Sequence, residues 1–215
     1  WHHSGVHEFD QERVSHWQAQ ACWIKPAALA RAWLATPGVR FCGAADVAAL
    51  RPGRIAWDVC DAAGAVLASA DRVVLANAAG VTAVLQNSSA LREAGAGRGW
   101  PATHAVRGLV SWGRHDREEL RPFPAVPVHG HGSLIAHVPF DDGARWFVGA
   151  SYQPVSAREA EWPDDKNHGA NALRLEKLAP DVFAALAGEL EAGALQAWKG
   201  PRFVTADRLP LLGPV

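Results

Sequence analysis

The sequence predicts an α+β fold, a mainly antiparallel sheet covered by helices, and three observations carry that prediction. Alternating apolar and polar residues recur at 105–112, 133–140 and 145–150, the pattern of strands with one buried face. Two runs with helical spacing follow, one through Ala172, Leu173, Leu175 and Leu178, the other through Val182, Leu186 and Leu190. A short continuous apolar run, Val73-Val-Leu-Ala76, stands apart and has the character of a strand buried on both faces, in a second, more parallel sheet.

Taken in order, residues 1–22 show no clean period, and no element is predicted there. Pro26 at a first helical position, followed by Leu29, Trp33 and Leu34, predicts a helix that Thr36-Pro-Gly38 ends. Val39–Cys42 reads as a strand. Arg54–Cys60 and Val66–Ser69 read as an antiparallel hairpin turned by Asp61-Ala-Ala-Gly64. Asp71–Asn77 is the apolar strand. Ser88–Pro101, with Gly95-Ala-Gly-Arg-Gly99, reads as a surface loop, because no strand precedes those glycines and no convincing helix follows. Asp142-Gly143 is the predicted turn between the second and third alternating strands, Asp164-Asp165 the predicted cap of the first late helix, and Leu195–Val204 a returning strand.

Composition excludes several classes. The chain has 215 residues, and about half (49%) are hydrophobic while 20% are charged, so a sizeable core is expected and long disordered tails are not. With 21 Lys and Arg against 22 Asp and Glu, a polyanion has to be met by a local patch. The arginine-rich stretch 92–121 is one candidate, and a solvated surface is its plainer meaning. Cys22, Cys42 and Cys60 are widely spaced with no C-x-x-C, which fits a reducing cytoplasm. No apolar stretch approaches the roughly 20 residues that span a bilayer. Methionine is absent and the chain begins Trp1-His2-His3, so the sequence reads either as an excised segment or as one lacking modified methionines and some loops. Motifs within short windows therefore carry the argument.

The most specific window is Gly200-Pro-Arg-Phe-Val-Thr-Ala-Asp-Arg-Leu-Pro-Leu-Leu-Gly213. Arg202 closes a predicted strand, and a guanidinium offers a planar fork that matches a carboxylate. The pattern Gly-x-Arg-x-x-Thr-x-Asp-x-x-Pro-x-x-Gly resembles the C-terminal signature of the D-amino-acid-oxidase and glycine-oxidase-like flavoproteins. Together with Cys22-Trp-Ile-Lys-Pro26, Val74-Leu-Ala-Asn77 and Val148-Gly-Ala-Ser-Tyr152, it is similar to the oxidoreductase half of the bacterial bifunctional enzymes that modify the tRNA wobble uridine.

That resemblance implies FAD as cofactor and parts of a Rossmann-like FAD domain, here without its N-terminal βαβ unit, since no Gly-x-Gly-x-x-Gly turn occurs. It divides the chain into 1–70 and 102–198 for the substrate domain, with 71–101 and 199–215 for the FAD domain. It implies a carboxylate clamp at Arg202 and a substrate-facing Tyr152. Ala76, Asn77, Gly80, Asp207, Leu209, Pro210 and Gly213 would lie along the flavin. The implied reaction removes a hydride beside an amine nitrogen and hydrolyses the imine, turning carboxymethylaminomethyl-uridine into aminomethyl-uridine and glyoxylate. tRNA is then the partner, with room for a fused methyltransferase domain and no role for a membrane or a metal.

Two other readings share these residues: an oxidase or dehydrogenase of a free amino acid, and a tRNA- or partner-binding fragment without catalysis. His129-Gly-His131 and His137 have no neighbouring Cys or acidic residue to complete a metal site, and Ser88, Ser89 and Ser111 lack a Gly-x-Ser-x-Gly elbow.

Overall fold

The computed structural model describes residues 6–8, 14–16, 22–99, 102–115, 122–155 and 160–213. Strands β1 (Val6–Glu8) and β2 (Val14–His16) form an antiparallel hairpin where the sequence predicts no element; short polar strands carry too little alternation to be seen. Helix α1 (Pro26–Leu34) starts at Pro26 as predicted. Strands β3 (Ala49–Pro52), β4 (Trp57–Cys60) and β5 (Val66–Ala70) make a small antiparallel sheet. The expected hairpin is its β4–β5 half. The strand predicted at Val39–Cys42 is not formed: Val39 and Phe41 are exposed, and among the described residues the segment has no ladder partner.

Helix α2 (Gly80–Asn87) forms where no element is predicted, and α3 (Ser89–Glu93) occupies part of the stretch expected to be loop. Their apolar residues Val84, Leu85 and Leu91 pack on Leu50, with Val73, Leu75, Trp57 and Val59 around them. Ser88 sits at the junction, fully buried, donating its hydroxyl to the Val84 carbonyl (2.6 Å) and accepting from the Leu50 N–H (2.8 Å). The predicted strand at Asp71–Asn77 joins no ladder among the described residues. Val73 and Leu75 turn into this cluster while Val74 is 88% exposed, so one face is buried rather than two, and among the described residues no strand lies alongside it. The cluster also crosses the division expected at residue 70/71.

The main sheet is built on β6 (Thr103–His115). It contains β7 (Val128–His129), β8 (Ser133–Phe140), β9 (Gly143–Gly149), β10 (Gln153–Pro154) and, after the helices, β11 (Gln196–Thr205). The order is β10-β6-β9-β8-β7, with β11 also pairing along β6. All these pairings are antiparallel, as expected for an α+β fold. The β8–β9 turn has Asp141-Asp142 at its centre, since Phe140 pairs with Gly143, one residue earlier than predicted.

Helices α4 (Asp164–Leu178), α5 (Pro180–Ala185) and α6 (Ala187–Glu191) cover one face. Leu134, Ala136, Trp146 and Val148 from the sheet meet Leu175, Val182, Leu186 and Leu195 there. Asp164 and Asp165 lie in the first turn of α4 without capping it, because Pro163 holds the cap position; their charges favour the positive end of the helix dipole instead. The second late helix is broken at Leu186, whose N–H is shared between the Val182 and Phe183 carbonyls. Among the described residues no helix is long and apolar enough to cross a membrane.

Candidate active site

A cleft of about 2160 Å³ lies where β6, β9 and β11 meet the 73–76 segment, α2 and the chain after β11. Its floor is set by register. Gly200 pairs with Gly108 and Arg202 with Val106, so the Arg202 side chain can lie back over a residue with no side chain. A Cβ added at Gly108 would stand 3.2 Å from Arg202 Nη2 and 2.9 Å from the Ser151 carbonyl oxygen. Gly108 is thus the shelf on which the guanidinium rests. Among the described residues Arg202 forms no salt bridge.

Tyr152 reaches the same cleft because its neighbours are pinned on the other side. Ser151 is buried, accepts from the Leu109 N–H (2.9 Å) and donates to Asn167 Oδ1 (2.6 Å). Gln153 is buried, donates to the Ala160 carbonyl (2.7 Å) and accepts from the Trp162 N–H (3.0 Å). Alternation then turns Tyr152 outward, 43% exposed.

Asn167 and Asn171, four apart on α4 and both buried, continue this network. Asn171 Nδ2 donates to the Leu109 carbonyl and to Ser111 Oγ, each at 2.9 Å, and Ser111 Oγ meets His168 Nδ1 at 2.7 Å. Burial holds the His168 pKa below its ordinary 6.5; Asp164 and Asp165 oppose that shift and Lys199 adds to it. The sequence reading missed these residues, although two asparagines four apart beside helical leucines are a visible sign of a helix face bonded to backbone.

The rim after β11 is a fixed turn. Thr205 Oγ1 donates to the Leu209 carbonyl (2.8 Å), the Leu209 N–H donates to Asp207 Oδ1 (3.0 Å), and Arg208 adopts φ +61°. The Leu209 N–H holds the Asp207 carboxyl below its usual pKa.

Of the residues singled out in the sequence, Arg202, Tyr152, Ala76, Leu209, Pro210 and Gly213 line this one cleft. Asn77, Gly80 and Asp207 do not line it. They shape its turns: a Cβ on Gly80 would stand 2.6 Å from Asn77 Nδ2. The arginine-rich stretch is dispersed rather than a patch. Arg92 bonds the Gln86 carbonyl, Arg107 pairs with Glu161 and Arg114 with Asp142; Arg117 and Arg121 lie outside the described residues. His129 bonds Ser133 Oγ at 2.6 Å, and among the described residues no group of three potential metal ligands occurs.

The charged residues of the cleft lining are Arg92, Arg174, Arg202 and Arg208, with no Asp or Glu among them. Such a surface selects anions.

Three relatives are similar along most of the chain, each a tRNA 5-methylaminomethyl-2-thiouridine biosynthesis bifunctional protein MnmC. That of Albidiferax ferrireducens is 47% identical over 205 residues, 93% of this chain and 33% of that protein. Those of Polaromonas sp. (44% identical) and Polaromonas naphthalenivorans (41%) match 93% and 95% of this chain and 31% of their own lengths. The chain therefore spans about a third of the curated relatives it matches. The model of the DAO family, FAD dependent oxidoreductase, matches residues 9–215, and the chain belongs to that family.

Proposed function

We propose that this chain is the oxidoreductase part of an enzyme that removes the carboxymethyl group from carboxymethylaminomethyl-uridine at the tRNA wobble position. The observation that carries the reading is the cleft: its charged lining is arginine throughout, and Arg202 lies on its floor over Gly108. The names of the MnmC relatives supply the tRNA context. A fused methyltransferase part belongs to the same reading, as does a cytoplasmic location, where tRNA is found and where free thiols such as those of Cys22 and Cys42 persist.

The cleft fits a flavin dinucleotide. It is larger than the roughly 300–1,000 Å³ of common small-molecule pockets, and its wall includes the small residues Ala76, Ala78, Gly97 and Gly213, beside which a ligand can approach the backbone closely. Ala76, Leu209, Pro210 and Gly213 would lie along the flavin, with Asn77, Gly80 and Asp207 setting the turns behind them. The same assignment makes 71–101 and 199–215 the flavin side, and 1–70 with 102–198 the substrate side.

Bound flavin supplies a hydride acceptor. Arg202 would hold the substrate carboxylate and so fix the adjacent methylene carbon, while Tyr152 offers an aromatic face to the uracil base. The C–H bond breaks with its electron pair leaving as hydride, the amine proton is lost, and a C=N bond forms. Water adds to that imine and the C–N bond breaks, giving the aminomethyl-uridine amine and glyoxylate. A clamp serves this chemistry better than a strong acid or base, because positioning sets the hydride distance.

In the full-length flavin-loaded protein, Arg202→Ala should lower turnover of the carboxylated uridine at least tenfold, matching the roughly 1.5–3 kcal/mol of a hydrogen bond to a charged group. Arg202→Lys should recover only part of it. Wild-type glyoxylate release from both variants would remove Arg202 from the site.

A further inference from the structure

Arg174 is a second cation of the cleft that a carboxylate clamp does not use. It stands on α4 one turn before Leu178, and these two side chains carry the His129–Ser133 loop. A Cβ on Gly130 would meet Leu178 Cδ1 at 3.2 Å, and one on Gly132 would meet Arg174 Cβ at 3.4 Å; the loop lies this close to the helix because both positions are glycine. Arg174 Nη1 reaches the His131 carbonyl at 3.5 Å, longer than an ordinary hydrogen bond. A guanidinium has five N–H donors, so most of them remain, and among the described residues no carboxylate pairs with it.

The placement of Arg174 relates it to Arg202. A Cβ on Gly132 would stand 3.5 Å from the Gly149 carbonyl oxygen, and the chain then runs through Ala150 and Ser151, which flank Gly108 beneath Arg202, to Tyr152. Arg174, Arg202 and this segment's Gly149, Ala150 and Tyr152 all line the one cleft. A free amino acid has one carboxylate and satisfies one of them. A modified nucleotide within a strand carries its carboxylate on the base and a phosphodiester on the backbone, two anions separated by a nucleoside.

We propose that Arg174 binds a phosphodiester next to the modified nucleoside, so that the site selects a nucleic-acid substrate over a free amine. This rests on the function proposed above and names the residue that makes the selection. The phosphate chemistry has a second source, the pyrophosphate of the cofactor, and the experiment separates the two.

Arg174→Gln and Arg174→Lys are made in the full-length flavin-loaded protein, the first keeping the packed stem and the second the charge. Arg114→Ala, a cation outside the cleft, is the control. Three quantities are read: kcat/KM for an anticodon stem-loop RNA carrying the modification relative to that for N-methylglycine, anisotropy of the unmodified RNA against salt, and flavin absorbance per protein. The expected result for Arg174→Gln is a fall of about tenfold in the RNA-to-amine ratio and a salt slope shallower by about 0.7–1. Arg174→Lys should fall between, and Arg114→Ala should match wild type.

An unchanged ratio and slope would overturn the proposal, as would an equal loss on both substrates. Loss of flavin would overturn it in favour of the cofactor pyrophosphate. Wild-type protein that oxidises N-methylglycine but not the RNA defeats the proposed function itself, and the anisotropy slope then still decides whether Arg174 meets phosphate.

Discussion

Gly108→Ala adds one methyl group beneath the proposed clamp, and its consequences follow from three distances. The new Cβ would stand 2.9 Å from the Ser151 carbonyl oxygen, 3.2 Å from Arg202 Nη2 and 3.6 Å from Ala150 Cβ. The first contact is with backbone, and Ser151 is held by the Leu109 N–H and Asn167, so it cannot easily retreat. Overpacking of this kind destabilises by about 1–3 kcal/mol. Replacing glycine in a strand offsets about 0.4–1 kcal/mol of that through the unfolded chain. The net loss is therefore about 0–2.5 kcal/mol, and at about 2–4 °C per kcal/mol for a chain of this size the melting temperature falls by up to roughly 10 °C. The sharper signal is functional. Arg202 Nη2 is the most mobile of the three neighbours, so it gives way, and KM for a carboxylated amine should rise about tenfold while the affinity for flavin stays unchanged. Thermal scans and steady-state kinetics at several carboxylated-amine concentrations decide the matter. Wild-type KM in a folded Gly108→Ala protein would refute the placement of Arg202 on that shelf.

Two further outcomes concern the supports of the site. The His168 pKa is depressed, so the folded state prefers the neutral ring, and its contribution to stability is full above the ordinary 6.5 and is lost as pH falls through the lower folded value. The melting temperature should drop on acidification below 6.5, and His168→Asn should reduce that dependence; an identical pH slope in the variant would contradict the assignment. Asp207 is held in its charged form by the Leu209 N–H, so Asp207→Ala should loosen the rim turn and weaken flavin retention several-fold, while Asp207→Asn, which keeps an acceptor oxygen, should retain it. Flavin absorbance after gel filtration measures both, and equal retention by the alanine variant would show that the turn does not matter to the cofactor.

The sheet and its covering helices were legible because each strand and helix carries its own period. Leu134, Ala136 and Val138 alternate on β8, while Leu175 and Leu178 mark the face of α4. The signature residues were legible because they sit in one short window. What escaped depends on partners distant in sequence. Val73–Ala76 has the composition of a doubly buried strand, but burial on a second face needs a neighbouring strand, which this segment lacks among the described residues. The arginines of β6 look like a cluster in one dimension, yet Arg107 and Arg114 are an odd number of residues apart on one strand and so face opposite ways. Helices α2 and α3 were hidden by small residues, since Val84, Leu85 and Leu91 are too few to show a period without the Leu50 surface they cover.

Helix α4 explains why these scattered pieces converge. Asn167, Asn171 and Leu175 lie four apart and face the sheet, where the asparagines bond Ser151, Leu109 and Ser111 and the leucine fills the core. Arg174 and Leu178, also four apart, lie on the adjoining face and carry the glycine loop. One rigid element thus fixes both the strand end that presents Tyr152 and the second guanidinium. Arg202 is set independently, by the register of β11 on β6. The proposed substrate, whose carboxylate and phosphodiester are a nucleoside apart, would be read by two supports that do not share a hinge. The distance between those supports is held by the Ser151–Asn167 and Leu109–Asn171 bonds, all buried away from competing water. The same buried polar residues therefore carry both the geometry of the cleft and stability, since leaving any one of them unpaired costs about 1–3 kcal/mol.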